Sequence, residues 1–223
     1  MIVTIDGPAG AGKSSAARML AQRLGFDFLD TGAMYRAVAL AVLRANCDLS
    51  DTEALTRLLD AMHLDMASGR VLLGGEDVTA ALRTPPVTQK TGETADSPIV
   101  RRRLAAWQRA IAQGRDLVCE GRDQGTIVFP AAGCKFFLVA DPLERARRRH
   151  RELLSRGYDI PFDNLLASQH ERDARDAARD IAPMVPAADA IELDTTTLTL
   201  DQVVATMERE VRQRMRPGVK EER

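Results

Sequence analysis

The residues whose types and spacing indicate chemistry lie near the N-terminus, in the run Gly7-Pro8-Ala9-Gly10-Ala11-Gly12-Lys13-Ser14. The run fits the pattern G-x-x-x-x-G-K-[ST], in which backbone N–H groups surround a phosphate. An apolar segment (Ile2–Ile5) precedes it and a helical pattern (Ser14–Leu24) follows it, which is the context that the motif needs. The sequence therefore predicts a nucleoside triphosphate site, with Lys13 reaching the β- and γ-phosphates and Ser14 offering its hydroxyl to Mg²⁺.

The composition predicts an ordinary globular protein. With 223 residues, of which 45% are hydrophobic, the chain can form one domain with a full core. The net charge of −1 provides no overall field for nucleic acid or a membrane, so we expect neither as a partner. Cys47, Cys119 and Cys134 are too scattered for a zinc site or a disulfide framework. With no signal peptide and no apolar run near 18 residues, we expect a soluble, cytoplasmic protein.

Strand-like and helical segments alternate along the chain, which predicts an α/β fold with a parallel sheet and helices on both faces. Ser50-Asp51-Thr52-Glu53 is a capping box that predicts a helix to about Met62. Ser97-Pro98 and Asp141-Pro142 each predict a helix start. The predicted sheet strands are 2–5, 27–29, 117–120, 136–139 and 191–193.

Two segments depart from this alternation. Residues 64–78 predict short antiparallel strands around Ser68-Gly69 and Gly74-Gly75. Residues 156–186 are polar and dense in charge, and predict a helical flap with flexible flanks. The last residues, 217–223, show no pattern and are expected to form a loose tail.

A second group of charged residues follows the predicted strand 117–120. Ligands of parallel sheets bind at the carboxyl ends of the strands, so Glu120 would lie beside the phosphate loop and orient a Mg²⁺-bound water. Arg122 and Asp123 come next, between two glycines, and would project into the same crevice. The alternative is an ordinary surface turn with a salt bridge.

The segment Asp30–Arg36 directly follows the second predicted strand and could contact a nucleotide. Thr31 can form a hydrogen bond, Tyr35 can pack on a base or ribose, and Arg36 can pair with a phosphate. The alternative is a helix start capped by Asp30 or Thr31, and both interpretations can hold together.

An arginine-rich segment, 172–179, places Arg172, Asp176 and Arg179 on one predicted helical face. A solvated, salt-bridged helix has the same pattern. In a chain that binds a triphosphate, however, arginines on a mobile segment can neutralise the charge of a transferring phosphoryl group while excluding water. A phosphate acceptor is largely dianionic near pH 7, with a second pKa of about 6. It needs no general base, which agrees with the lack of a plausible catalytic histidine.

Taken together, these segments resemble the bacterial cytidylate kinases, over nearly the whole chain. The phosphate loop is generic, whereas Gly-Arg-Asp-x-Gly-Thr at 121–126 and Arg-Asp-x-x-Asp-x-x-Arg at 172–179 are specific in combination. The segments that carry the resemblance are Thr4–Ser15, Leu29–Arg36, Glu120–Pro130, Glu171–Arg179 and Ala182–Ala190.

The resemblance implies a P-loop nucleoside monophosphate kinase fold, with a five-stranded parallel sheet, in a single domain spanning residues 1–223. Its core would comprise residues 1–63, 99–149 and 187–216, with a monophosphate-binding insertion at about 64–98 and a lid at about 150–186. The implied reaction is ATP + CMP to ADP + CDP, with Mg²⁺ as cofactor. The resemblance also implies that dCMP is accepted, that UMP is used poorly, and that the protein is a monomer.

The resemblance also assigns the site residues by position. The expected catalytic residues are Lys13, Arg122, Arg172 and Arg179, and the expected Mg²⁺ ligand is Ser14. The ATP phosphates are expected at Gly7, Pro8, Ala9, Gly10, Ala11, Gly12, Lys13, Ser14 and Ser15. CMP is expected at Thr31, Tyr35, Arg36, Arg101, Arg122, Asp123, Arg172, Asp176 and Arg179. The resemblance implies that arginine–aspartate pairs read the cytosine amino group, with Asp123, Arg101 and Arg179 as candidates. An aspartate can accept from that amino group, where uracil has a carbonyl oxygen.

The chain departs from the family pattern at three positions that bear on nucleotide selectivity. Thr31 replaces a commoner serine, Gly92 stands where some members have a serine that contacts the base, and Gln124 replaces an apolar residue. Which lid arginine contacts the γ-phosphate stays open between Arg145, Arg148 and Arg175.

Other classes of phosphate-loop protein fit the sequence less well. A kinase of a small metabolite such as shikimate or gluconate has no need for the insertion at 64–98. A GTPase switch would need an Asn-Lys-x-Asp segment, which this sequence lacks. A DNA-handling ATPase would need a basic face or an oligomer arginine finger, and the near-zero net charge gives little support for it.

Overall fold

The computed structural model describes residues 1–67, 69–179 and 181–215, so the predicted tail at 217–223 lies outside the described residues. The strands are β1 (Ile2–Asp6), β2 (Asp27–Asp30), β3 (Leu64–Ala67), β4 (Arg70–Leu73), β5 (Glu76–Asp77), β6 (Leu117–Glu120), β7 (Cys134–Val139) and β8 (Ile191–Asp194). The α-helices are α1 (Lys13–Leu24), α2 (Thr31–Arg44), α3 (Thr52–Ala61), α4 (Pro85–Asp96), α5 (Pro98–Ala112), α6 (Pro142–Leu154), α7 (Phe162–Ala177) and α8 (Leu200–Met215). No helix within these ranges is long and apolar enough to cross a membrane.

A five-stranded sheet has the order β2-β6-β1-β7-β8. The central strand β1 is parallel to both β6 and β7, and β7 is parallel to β8. The five strands predicted from the sequence are therefore confirmed, with ends shifted by two residues at most. In the register of β1 and β6, Ile5 lies opposite Glu120. The phosphate loop and the segment that begins at Gly121 consequently leave the sheet side by side.

The chain forms two compact units, the first from residues 1–28 and the described residues from 114 onward, the second from Leu29–Gln113. In the first unit, α1 and α8 pack against each other and against the sheet through buried Leu20, Val204 and Met207. This packing holds α1, and with it the phosphate loop at its N-terminus.

The second unit contains the whole predicted insertion, 64–98. Its antiparallel sheet has the order β3-β4-β5, which confirms the short strands predicted there. The turn between β4 and β5 uses Gly74 and Gly75, whose φ values of 58° and 86° favour glycine. A core cluster of this unit is formed by buried residues of α2, the small sheet, the 3-10 helix Ala81–Arg83 and α4: Ala37, Leu40, Val71, Leu82 and Val87.

Helix starts follow the predictions with one correction. Helix α3 is capped by Asp51, whose carboxylate accepts from the Ala54 N–H at 2.9 Å. The predicted capping box, which makes Ser50 the cap, therefore starts the helix one residue too early. The Asp51 side chain, and not that of Ser50, accepts from the free N–H at the helix start. Helix α6 starts as predicted, with the Asp141 carboxylate accepting from two backbone N–H groups.

Candidate active site

The loop between β1 and α1 has a backbone that only glycines allow at its key positions. Gly7, Gly10 and Gly12 have φ values of 133°, 79° and 88°. A Cβ atom at Gly7 would collide with the Leu138 carbonyl oxygen, and one at Gly10 would lie 2.9 Å from the Arg145 Cβ. The loop can therefore curl closely enough to direct its N–H groups inward.

Lys13 is the first residue of α1 and is only 5% exposed. Its Nζ donates to the Pro8 carbonyl oxygen at 2.7 Å, so the ammonium group closes over the loop. The pKa of Lys13 is lowered to about 7, mainly by burial and also by Arg122 and Arg172, while Glu120 and Asp6 act in the opposite direction. A bound triphosphate would favour the charged ammonium form.

This pKa predicts that ATP binding takes up protons. Near pH 8 a substantial fraction of free Lys13 is neutral, because its pKa lies near 7, and a bound polyphosphate draws the proton back. We expect an uptake of up to about one proton per ATP at pH 8, falling towards zero as the pH drops below 6. Titration calorimetry in buffers of different ionisation enthalpy measures this number. The same uptake in Lys13→Met would contradict the assignment.

Ser14 and Glu120 form a pair of oxygen groups next to the loop. The Ser14 Oγ donates to the Glu120 Oε1 at 2.6 Å, and Glu120 is buried at the carboxyl end of β6. Hydroxyl and carboxylate oxygens are the ligands that Mg²⁺ prefers. Glu120 thus lies beside the phosphate loop, as the sequence predicts. The oxygens of Ser14 and Glu120 fit a magnesium ion.

Asp176 holds two arginines together. Its buried carboxylate lies 3.2 Å from the Arg122 Nε and 2.6 Å from an Arg179 guanidinium nitrogen. Two guanidinium groups around one carboxylate leave an excess positive charge for an anion. The prediction that Arg179 shares a helical face with Asp176 is wrong, because α7 ends at Ala177. The chain beyond the helix end brings Arg179 back to the same carboxylate.

Arg145 supports the phosphate loop from behind. Its buried guanidinium donates to the Ala9 carbonyl oxygen at 3.0 Å and to the Asp173 Oδ2 at 2.5 Å. Arg148 contacts the loop indirectly, through Thr195. Its guanidinium donates to the Thr195 carbonyl oxygen at 2.6 Å. The Thr195 Oγ1 in turn donates to the carbonyl oxygen of the loop residue Ala11 at 3.1 Å. Arginine-rich helical spacing alone could not distinguish these supporting contacts from contacts with a phosphate.

In the second unit, Asp30 caps α2 by accepting from the Ala33 N–H at 2.9 Å, which confirms the capping interpretation. Thr31 is buried as the first residue of that helix. One turn later, the guanidinium of Arg36 donates to the Thr88 Oγ1 at 2.8 Å and to the Leu82 carbonyl oxygen at 3.1 Å.

Arg101 and Tyr35 lie together in the same unit. The guanidinium carbon of Arg101 is 5.8 Å from the centre of the Tyr35 ring, within the range of a cation–π contact. Arg101 also donates to the Ala95 carbonyl oxygen at 2.9 Å. The residues predicted to bind an acceptor in this unit therefore lie on α2 and on α5, next to α4.

Asp6 is a site residue that the motif analysis did not single out. Its carboxylate accepts from the backbone N–H groups of Gln124 and Gly125 at 2.9 and 2.7 Å. Burial raises its pKa to about 6, partly offset by these two hydrogen bonds. The sequence indicates this residue by one feature, which is that an acidic residue stands between an apolar strand and the first glycine of the loop.

A family model described as cytidylate kinase matches residues 3–213 of this chain. The chain belongs to the cytidylate kinase family. The chain is 48% identical over 213 residues to the cytidylate kinase of Rhodopirellula baltica, covering 96% of this chain and 93% of that one. It is 49% identical over 209 residues to the cytidylate kinase of Vibrio cholerae, covering 91% and 92%. The resemblance inferred from the sequence is confirmed, and the chain is a kinase.

A solved structure shares the fold of this chain at low identity. An uncharacterized protein from Eubacterium ventriosum aligns with a TM-score of 0.52 at 12% identity, covering 95% of this chain and 98% of that one. The likeness shows a shared fold, and the five-stranded sheet agrees with the predicted α/β architecture.

Proposed function

We propose that this chain transfers the γ-phosphoryl group of ATP to CMP and to dCMP, forming ADP with CDP or dCDP. The observation that carries the proposal is the Arg122–Asp176–Arg179 cluster, whose Arg122 acts electrostatically on Lys13 of the phosphate loop. A site for a second anion beside a triphosphate loop fits transfer between two phosphates better than hydrolysis.

The donor phosphates bind at Gly7–Ser15 in this proposal. The loop N–H groups and the N-terminal end of α1 attract the negative charge, and Lys13 adds a positive charge that reaches the β- and γ-phosphates. Mg²⁺, when bound, neutralises the phosphate charge that develops during transfer. Ser14 would hold the ion and Glu120 would orient its water, since their oxygens already lie together.

The acceptor phosphate binds to arginines in this proposal. Arg122, Arg172 and Arg179 neutralise it, and the buried Asp176 holds two of them in place. The acceptor oxygen attacks directly without a general base, because a nucleoside monophosphate is largely dianionic near pH 7. For the second unit, the same proposal assigns Thr31, Tyr35, Arg36 and Arg101 to acceptor binding.

Base recognition is assigned to Asp123 in this proposal. Its buried carboxylate can accept from the cytosine amino group, whereas the carbonyl oxygen of uracil would face it without a proton to donate. The Gln124 side chain lies beside it, with Nε2 at 3.4 Å from the Asp123 Oδ1. Gln124 would therefore bias the orientation of the base-reading carboxylate.

We further propose that residues 150–186 form a lid and that 64–98 form the monophosphate-binding insertion of a monomeric enzyme. The support for the lid is that α7 carries Arg172 and Asp176, and that Asp173 pairs with the loop-supporting Arg145. A change in the position of α7 would therefore affect donor and acceptor contacts together. Of the three arginines considered for the γ-phosphate, Arg175 is the exposed one, and Arg145 and Arg148 bond to the protein.

An acceptor panel tests the function. We expect ADP release with CMP and dCMP, and a kcat/KM for UMP lower by at least about 100-fold, because the uracil carbonyl oxygen would face the Asp123 carboxylate, which is also an acceptor. A coupled ADP-release assay with CMP, dCMP, UMP, AMP, GMP and shikimate measures this. Turnover of another acceptor without turnover of CMP or dCMP would refute the proposal.

A further inference from the structure

Asp6 connects the strand before the phosphate loop to the segment that carries Arg122 and Asp123. It is the last residue of β1, and its side chain is 5% exposed. Its Oδ1 accepts from the Gln124 N–H at 2.9 Å and its Oδ2 from the Gly125 N–H at 2.7 Å. One carboxylate thus holds two successive backbone groups directly after Asp123.

The neighbouring backbone is shaped to admit this carboxylate. A Cβ atom at position 125 would lie 2.9 Å from the Thr4 Oγ1 and 3.3 Å from the Asp6 Oδ2. Any side chain there would push the segment away from β1, so the close approach requires Gly125. The close approach of this segment to Thr4 and Asp6 therefore explains why the second residue of the pair of glycines in the Gly-Arg-Asp-x-Gly-Thr run is a glycine.

The ionised form of Asp6 does not favour folding. Burial and the nearby Asp123 carboxylate raise its pKa to about 6, against the two hydrogen bonds and the Lys13 ammonium, which lower it. Lys135 also approaches, with its Cδ near Gly125. A raised carboxyl pKa contributes stability at low pH that is lost as the pH rises through 6. At neutral pH the charge therefore destabilises the fold, which points to a role other than stability.

We propose that Asp6 is a positioning residue for phosphoryl transfer, whose carboxylate holds the Arg122–Asp123 segment in register with the start of the phosphate loop. It acts through the Gln124 and Gly125 N–H groups. The inference rests on the proposed transfer from ATP to CMP. It adds that the acceptor-binding segment and the donor loop are positioned by one shared side chain.

Asp6→Asn tests the inference, because it keeps the shape but sets an NH₂ group against one of the two N–H donors. We expect kcat/KM for CMP to fall by about 10-fold or more. We expect the melting temperature at pH 8 to stay equal to or above that of the wild type, since a buried charge is removed. Lower activity with a clearly lower melting temperature would show a structural role and overturn the inference.

The pH profile provides a readout that a structural role would not change. The ratio of wild-type to Asp6→Asn kcat/KM cancels the titration of CMP itself. We expect this ratio to be constant above pH 7 and to decline below pH 6, where wild-type Asp6 gains a proton. A ratio that does not vary between pH 5 and 8 would overturn the inference.

Two further variants make the test specific. Asp51→Asn changes a carboxylate that also accepts a backbone N–H, but outside the assigned site, and it should keep wild-type kinetics. Gly125→Ala disturbs the same hydrogen bonds by displacing the backbone that carries the donors, and it should raise KM for CMP. Wild-type enzyme inactive with CMP and dCMP would refute the proposed function, whereas active wild type with equally active Asp6→Asn would refute only the role of Asp6.

Discussion

Replacing Lys13 with alanine is expected to reduce kcat at least about 100-fold with every acceptor. The buried ammonium is the positive charge nearest the loop backbone, closing over it at 2.7 Å from the Pro8 carbonyl oxygen. Charge that develops on the γ-phosphoryl group would lose this partner in a site with little water to replace it. The measurement is initial rate in the ADP-release assay at saturating ATP and CMP.

Arg57→Ala is the control for this prediction. Arg57 lies exposed on α3 and pairs with Glu53 at 3.5 Å, so removing it tests the loss of a positive charge outside the assigned binding residues. We expect wild-type rates from this variant. A Lys13→Ala enzyme that keeps more than about a tenth of wild-type kcat would contradict the assignment of Lys13 to the transferring phosphates.

Arg179→Ala is expected to raise KM for CMP by about 10- to 100-fold, with a much smaller change in KM for ATP. The guanidinium lies 2.6 Å from the Asp176 carboxylate, which also pairs with Arg122. In the proposed function, removing it would take away a charged hydrogen bond to the acceptor and leave Asp176 paired with Arg122. Steady-state kinetics with each substrate varied in turn separate the two KM values.

Arg209→Ala provides the comparison for Arg179→Ala. Arg209 is an exposed residue of α8, 3.8 Å from Glu210, and its loss should change neither KM value. Equal increases of both KM values in Arg179→Ala would refute its assignment to the acceptor. An unchanged KM for CMP would refute it as well.

The fold was largely predictable from local patterns. The three inner strands of the large sheet, β1, β6 and β7, are largely apolar runs. The segment around Gly74-Gly75 carries its own turn signal, so local patterns were sufficient for these elements. The error at α3 came from two adjacent capping residues, Ser50 and Asp51. Ser50 could accept from the Glu53 N–H and Asp51 from the Ala54 N–H. Only the backbone path shows that Asp51 is the cap.

The arginines were the least predictable part of the site. Helical spacing placed Arg179 with Asp176 on one face, whereas Arg179 lies beyond the end of α7 and pairs with Asp176 from there. Arg145 was one of three candidates for the γ-phosphate, and its guanidinium bonds to the Ala9 carbonyl oxygen. A guanidinium group reaches far from its backbone, so its partner depends on packing between distant segments.

The sequence by itself determined that Gly7–Ser14 forms a phosphate loop and that the chain resembles the cytidylate kinases, because those signals lie in contiguous residues. Only the tertiary structure decided which charged groups meet. The β1–β6 register sets Ile5 opposite Glu120, and the next residue, Asp6, accepts from Gln124 and Gly125. Such contacts join residues more than a hundred positions apart, and a local pattern carries no information about them.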